Sequence, residues 1–225
     1  MEEDRFFNPS YKTRRLVLIV VGVIWLVLTS CSSQFIRVSK KSPLTYSEHL
    51  RLATIYEANG AFGAALKEYR EALRLNPRSA QAHFGIGNVY LKSRNHHEAE
   101  KHYLKAIELD PTKGVFYNNL GWVYIETGRY TDAYVTISRG LTLDPERSYI
   151  YLDSLGIIEM RRGNLRQAEL LFKDAALRTP PENIRGRLRI EEHLLKLYTL
   201  MKDEKRIEET RKKIDSLKKG IPVVP

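Results

Sequence analysis

LRLNP at residues 73–77, IELDP at 107–111, LTLDP at 141–145 and LRTP at 177–180 are four versions of one ending. Each runs an apolar-periodic segment into a proline, which has no amide proton and clashes with the preceding turn, so each predicts the end of a helix. The four prolines, Pro77, Pro111, Pro145 and Pro180, are 34, 34 and 35 residues apart. A fixed period of that length signals a stack of similar supersecondary units, in which each unit buries its apolar face against its neighbours.

Aligning the units on these prolines exposes the pattern upstream. Unit 1 reads His49-x2-Leu52-Ala53-x2-Tyr56 and then Ala65-x3-Tyr69, and unit 2 reads His83-x2-Ile86-Gly87-x2-Tyr90 and then Ala99-x3-Tyr103. Unit 3 follows with Tyr117-x2-Leu120-Gly121-x2-Tyr124 and Ala133-x3-Ile137, and unit 4 with Leu152-x2-Leu155-Gly156-x2-Glu159 and Ala168-x3-Phe172. The alanines and glycines let paired helices approach closely, while the large side chains fill the spaces between them. A further small residue recurs at Ala72, Ala106, Gly140 and Ala175, where each second helix is expected to meet the next unit. Gly60, Gly128 and Gly163 mark the turns within units, where a positive φ costs glycine little. Unit 2 has Arg94-Asn95 there instead, with Asn95 the more tolerant residue.

Period and pattern together resemble the tetratricopeptide repeat over residues 46–180. The resemblance implies an all-α fold, a right-handed α-solenoid of helix-turn-helix units spanning 46–79, 80–113, 114–148 and 149–180. The family's tryptophan is replaced in all four units, by His49, His83, Tyr117 and Leu152. Residues 181–219 read as a degenerate capping repeat: Leu194-Leu195-x2-Tyr198 looks like a first helix, and Ile207 and Ile214 stand where other units carry small residues. The charged stretch from Lys202 to Lys219 would give this cap a polar outer face, and residues 220–225 form a tail.

Residues 1–30 read differently. A basic cluster, Lys12, Arg14 and Arg15, precedes an apolar run of thirteen residues from Leu16 to Leu28. A membrane-spanning helix needs about 20 apolar residues and the apolar core of an export signal about 7–15, so the run fits a signal better than a span. It leads into Leu28-Thr29-Ser30-Cys31, which resembles the lipobox of bacterial lipoproteins. That resemblance implies cleavage before Cys31, acylation of its thiol and, with Ser32 next, an outer-membrane destination facing the periplasm. An uncleaved membrane anchor is the competing reading. Residues 31–45, rich in serine and carrying Lys40, Lys41 and Pro43, read as the lipidated cysteine and a flexible tether.

Composition excludes several functions. The 225 residues carry a net charge of +10, and +9 once residues 1–30 are removed, a moderate excess that by itself selects no partner. Cys31 is the sole cysteine, so no intrachain disulfide or multi-cysteine metal site can form. His96, His97 and His102 are close in sequence, but spacings of one, five and six do not share a helix face, and no metal site is expected from them. No HExxH, phosphate-binding glycine loop or nucleophile elbow is present, and the basic residues are not interleaved with stacking aromatics. The expectation is neither an enzyme nor a nucleic-acid binder, with no cofactor.

Function then falls to recognition. By resemblance, the first helices line a concave groove that binds peptides, with positions two, five, nine, twelve and thirteen of each unit pointing inward. In unit 1 these include Thr54 and Glu57. The central and later units supply Phe84, Asn88, Lys92, Asn118, Trp122, Ile125, Asp153, Ile157, Met160 and Arg161. Phe84 and Trp122 are the expected anchors, and the asparagine amides can both donate to and accept from a peptide backbone. Asn88 and Asn119 match two positions of a carboxylate clamp known in the family, but Phe84, Ile150 and Ser154 occupy the other three, so that clamp is not expected. The expected partners are an envelope protein or peptide client and, through Cys31, the membrane. Among lipoproteins with such repeats the architecture looks most like the pilotins of type IV pili, which escort the outer-membrane secretin; a second group of the same layout gathers peptidoglycan hydrolases and proteases.

Overall fold

The computed structural model describes residues 44–219. The expected export signal and tether, with Cys31, fall in residues 1–43, which with residues 220–225 lie outside the described residues. Within them the chain forms ten α-helices: α1 (Tyr46–Ala58), α2 (Phe62–Leu75), α3 (Ala80–Lys92), α4 (His96–Leu109), α5 (Gly114–Glu126), α6 (Tyr130–Leu143), α7 (Ser148–Arg162), α8 (Leu165–Arg178), α9 (Ile184–Met201) and α10 (Glu204–Lys219). A single 3-10 turn, Pro145–Arg147, precedes α7.

Local chemistry sets the boundaries. Thr45 opens α1 with a capping box: its hydroxyl accepts from the Glu48 amide, and the Glu48 carboxylate accepts from the Thr45 amide. The hydroxyl of Ser79 accepts from the Ala82 amide at α3, and the Asn183 side chain accepts from the Gly186 amide at α9. Within units 1, 3 and 4 the turn residue is glycine with positive φ: 73° at Gly60, 76° at Gly128 and 83° at Gly163. In unit 2 the left-handed residue is Arg94, at φ 59°, and not Asn95. Asn95 instead caps α4, its Oδ1 accepting from the Glu98 amide, a role the arginine side chain cannot fill because it has no acceptor.

Helices pack in sequence order, each against the one before and after it, so the array grows one unit at a time. The first helices of successive units, α1, α3, α5, α7 and α9, also touch one another directly, whereas the second helices do not. That asymmetry bends the stack, and the first helices form its tighter, inner side. The small residues permit the contact. A methyl on Gly87 would sit 2.6 Å from the Tyr103 ring, and one on Gly156 would sit 2.6 Å from the Phe172 ring. Both rings are fully buried, as are Ala53, Ala65, Ala99, Ala133 and Ala168.

The core is not uniform. A small cluster of eight buried residues, from Leu50 to Val89, serves α1 to α3. A larger one of 22 runs from Ala99 to Ile207, and Tyr90 packs against both. In the last unit Ile207 and Ile214 are buried where other units have small residues. No described helix is long and apolar enough to cross a membrane.

Candidate binding groove

The residues of the expected strip lie on α3, α5 and α7, and the middle of the strip is aromatic. Phe84 on α3 stacks on Phe116 of α5 with centroids 4.7 Å apart and tilts against Tyr103 at 5.7 Å. Phe84 and Trp122 are each half-buried: part of the ring rests on the larger core, and part remains exposed. Rigid aromatics seated this way offer apolar area to a partner at little cost in side-chain entropy.

Beside them runs a ladder of side-chain amides. The Ser154 hydroxyl donates to Asn118 Oδ1 at 2.9 Å, and Asn118 Nδ2 reaches Asn119 Oδ1 at 3.5 Å. Asn119 Nδ2 donates to Asn88 Oδ1 at 2.9 Å, and the Tyr103 hydroxyl donates to the same oxygen at 2.8 Å. Both acceptor sites of Asn88 Oδ1 are thus in use. A neutral amide has two oxygen lone pairs and two N–H donors, so the group Asn88 has left to offer a partner is its NH2.

Charged pairs close the two ends. Lys92, exposed, donates to the Glu57 carboxylate at 2.8 Å across units 1 and 2, and Glu57 also accepts from the Tyr69 hydroxyl at 2.9 Å. Burial pushes the Tyr69 hydroxyl up to about 12, so it stays a donor. At the other end Asp153, only 2% exposed, is held by His193 Nδ1 at 2.7 Å and Arg189 Nε at 3.2 Å.

The strip read from the sequence therefore divides. Phe84, Asn88 and Trp122 are half-exposed, and Lys92 and Arg161 are exposed. Asn118, Ile125, Asp153, Ile157 and Met160 are buried, because the whole stretch 151–160 of α7 is enclosed and Ile125, Ile157 and Met160 belong to the larger core. Of the earlier pair in unit 1, Glu57 is buried in its ion pair and Thr54 donates to the Leu50 carbonyl. Three contributors were not singled out from the sequence. Phe116 is signalled only by its aromatic character two residues before Asn118, and Arg189 and His193 fall in the unit whose pattern has decayed. Among the described residues, no group of three or more His, Cys, Asp or Glu side chains stands ready to hold a metal ion.

Residues 50–114 match one family model described as tetratricopeptide repeat, and residues 102–134 match a second of the same description. Residues 50–134 carry tetratricopeptide repeats. PilW, a widely conserved type IV pilus biogenesis factor, superposes with a TM-score of 0.69 at 19% identity, covering 79% of each chain. PilF of Pseudomonas aeruginosa gives a TM-score of 0.56 at 19% identity, over 78% of this chain and 93% of that one. YrrB, a repeat protein with an unusual peptide-binding site, gives 0.54 at 19% identity, over 82% of this chain and 92% of its own. No curated protein sequence gives a match. At these identities the likeness is one of fold. Proteins built on tetratricopeptide repeats are typically protein-interaction adaptors.

Proposed function

We propose that this protein is a non-enzymatic adaptor of the bacterial envelope, lipid-anchored at Cys31, whose inner groove holds an extended segment of a client protein and assists secretin assembly in type IV pili. The observation that carries the reading is the inner face of α3 and α5: two half-exposed aromatics, Phe84 and Trp122, and an Asn88 amide whose oxygen is already twice engaged. The rings would seat apolar client side chains, and the Asn88 NH2 would donate to a client backbone carbonyl. The fold shared with PilW and PilF supports the pilus assignment, and the lipobox-like Leu28-Thr29-Ser30-Cys31 supports the anchor.

Two experiments test it. Asn88→Asp keeps an oxygen for Tyr103 and Asn119 but removes the free donor, so client binding is expected to fall by about tenfold while the melting temperature holds; unchanged binding sinks the donor role. A photo-crosslinker at the exposed Lys92, used in living cells, identifies the client. A secretin subunit supports the pilus assignment, a peptidoglycan hydrolase or protease replaces it with the other lipoprotein group, and no specific adduct removes the groove as the working surface. Cys31→Ala is expected to abolish lipid labelling and leave the precursor unprocessed.

A further inference from the structure

His83 on α3 and His102 on α4 face each other one residue along from Phe84 and Tyr103. Their Nδ1 atoms are 3.1 Å apart and their ring centroids 5.2 Å, with the planes tilted by 34°. Without an ion this contact is one hydrogen bond, in which a protonated Nδ1 donates to a bare Nδ1.

Two neutral imidazoles on different helices are a ligand set when their nitrogens lie within the bite of one ion. A divalent ion about 2.0–2.1 Å from each nitrogen separates the two by about 3.3 Å in tetrahedral and about 2.9 Å in square geometry. The observed separation lies between them. We infer that His83 and His102 form a two-histidine site for a borderline first-row divalent ion of the Zn2+ class, bound through both Nδ1 atoms, with water completing the shell. Binding needs only that the ring carrying an Nδ1 proton take the Nε2–H tautomer, so no proton is lost overall.

The surroundings permit it. Of the cations facing the pair, Lys105 is held by Glu108 at 2.6 Å, Lys101 by Glu98 at 3.6 Å, and Arg70 is turned to the Tyr90 hydroxyl at 3.4 Å. Both histidines line a surface hollow shared with His97, Glu100 and Glu108, which gives an ion its approach and the remaining waters their place. The ion would tie α3 to α4. Neighbouring histidines in the sequence gave no hint of the pair, since the partner of His102 stands 19 residues upstream on another helix.

The test uses the full chain without a polyhistidine tag, titrated with Zn2+ by calorimetry and with Cu2+ by electron paramagnetic resonance. One ion per chain is expected, with a copper spectrum of two imidazole nitrogens and a Zn2+-dependent rise in melting temperature. His83→Gln and His102→Gln should each weaken Zn2+ about 10²-fold, because a second tethered imidazole acts at high effective concentration, and each should lose the thermal rise. His96→Gln and Cys31→Ser should bind as the parent does. Parent-like binding in the His83 or His102 variants overturns the site, as does a copper spectrum with fewer than two imidazoles. That spectrum decides the question even where a variant fails to fold.

Discussion

Helices α3 and α7 occupy the same place in their repeats, yet one presents its inner residues and the other encloses them. At the fifth and ninth positions α3 carries Phe84 and Asn88, both half-exposed, whereas α7 carries Asp153 and Ile157, at 2% and 5% exposure. The units differ in what stands on either side. Around α3 the inner contacts are aromatic stacking and amide hydrogen bonds, and its buried residues Ala82, Ile86 and Val89 belong to the small cluster while Phe84 rests on the edge of the large one. Asp153 on α7 is held by Arg189 and His193 from α9, and the core around it is the large one. Repeat position assigns a residue to a side of the solenoid, and neighbouring units decide whether that side is a surface.

The contrast is breakable, and stability should show it most strongly. Phe172→Ala, in the large cluster, is expected to cost about 3–5 kcal/mol and to destabilise the C-terminal units together. Leu50→Ala, in the small cluster, should cost about 2 kcal/mol and act locally. Urea denaturation combined with hydrogen exchange would register the second as faster exchange confined to α1 and α2. Equal losses spread evenly over all ten helices would erase the distinction between the regions.

The ion pairs provide a finer comparison. Asp153→Asn strips the charge from a buried clasp and should cost about 1–3 kcal/mol, kept below a fully buried pair because Arg189 is half-exposed. Lys92→Ala removes the exposed half of the opposite pair and should cost less than about 1 kcal/mol. A reversal of that order in thermal melts would mean that the α1–α3 end is the tighter one.

Binding and stability should separate along the same line. Phe84→Ala is expected to weaken a client by more than about 1 kcal/mol. Ile157→Val should leave the client's Kd unchanged and cost about 0.5–1.5 kcal/mol of stability, since its side chain is enclosed. A loss of affinity from Ile157→Val of the same size as from Phe84→Ala would place the client over α7 as well. The smallest effect concerns the turns: Arg94→Gly should stabilise unit 2 by about 1 kcal/mol, because an L side chain is strained at φ 59°. No gain in melting temperature would mean that contacts of the arginine side chain offset the strain.

Much of the fold was legible because the repeat is written in volume and backbone freedom. Ala65, Ala99, Ala133 and Ala168 recur where helices touch, and Gly60, Gly128 and Gly163 recur where φ turns positive, so local rules and period agree. The misreading at Arg94-Asn95 came from weighing turn propensity alone, when the same residue pair also had to supply a side-chain cap for α4. The candidate site was half legible. Phe84 and Trp122 could be picked out as large apolar side chains on the inner side, but their setting on Phe116 and the core was not encoded in any spacing.

By itself the sequence determined the helices and their order, since these follow from a 34-residue period and the sizes of side chains within one unit; which residues face inward came from the resemblance to the tetratricopeptide repeat. Only the tertiary structure decided which inward residues remain open, which oxygen of the amide ladder is already occupied, and that His83 meets His102. Those depend on residues from different helices and units arriving within about 3 Å of each other, a distance set by packing and carried by no local pattern.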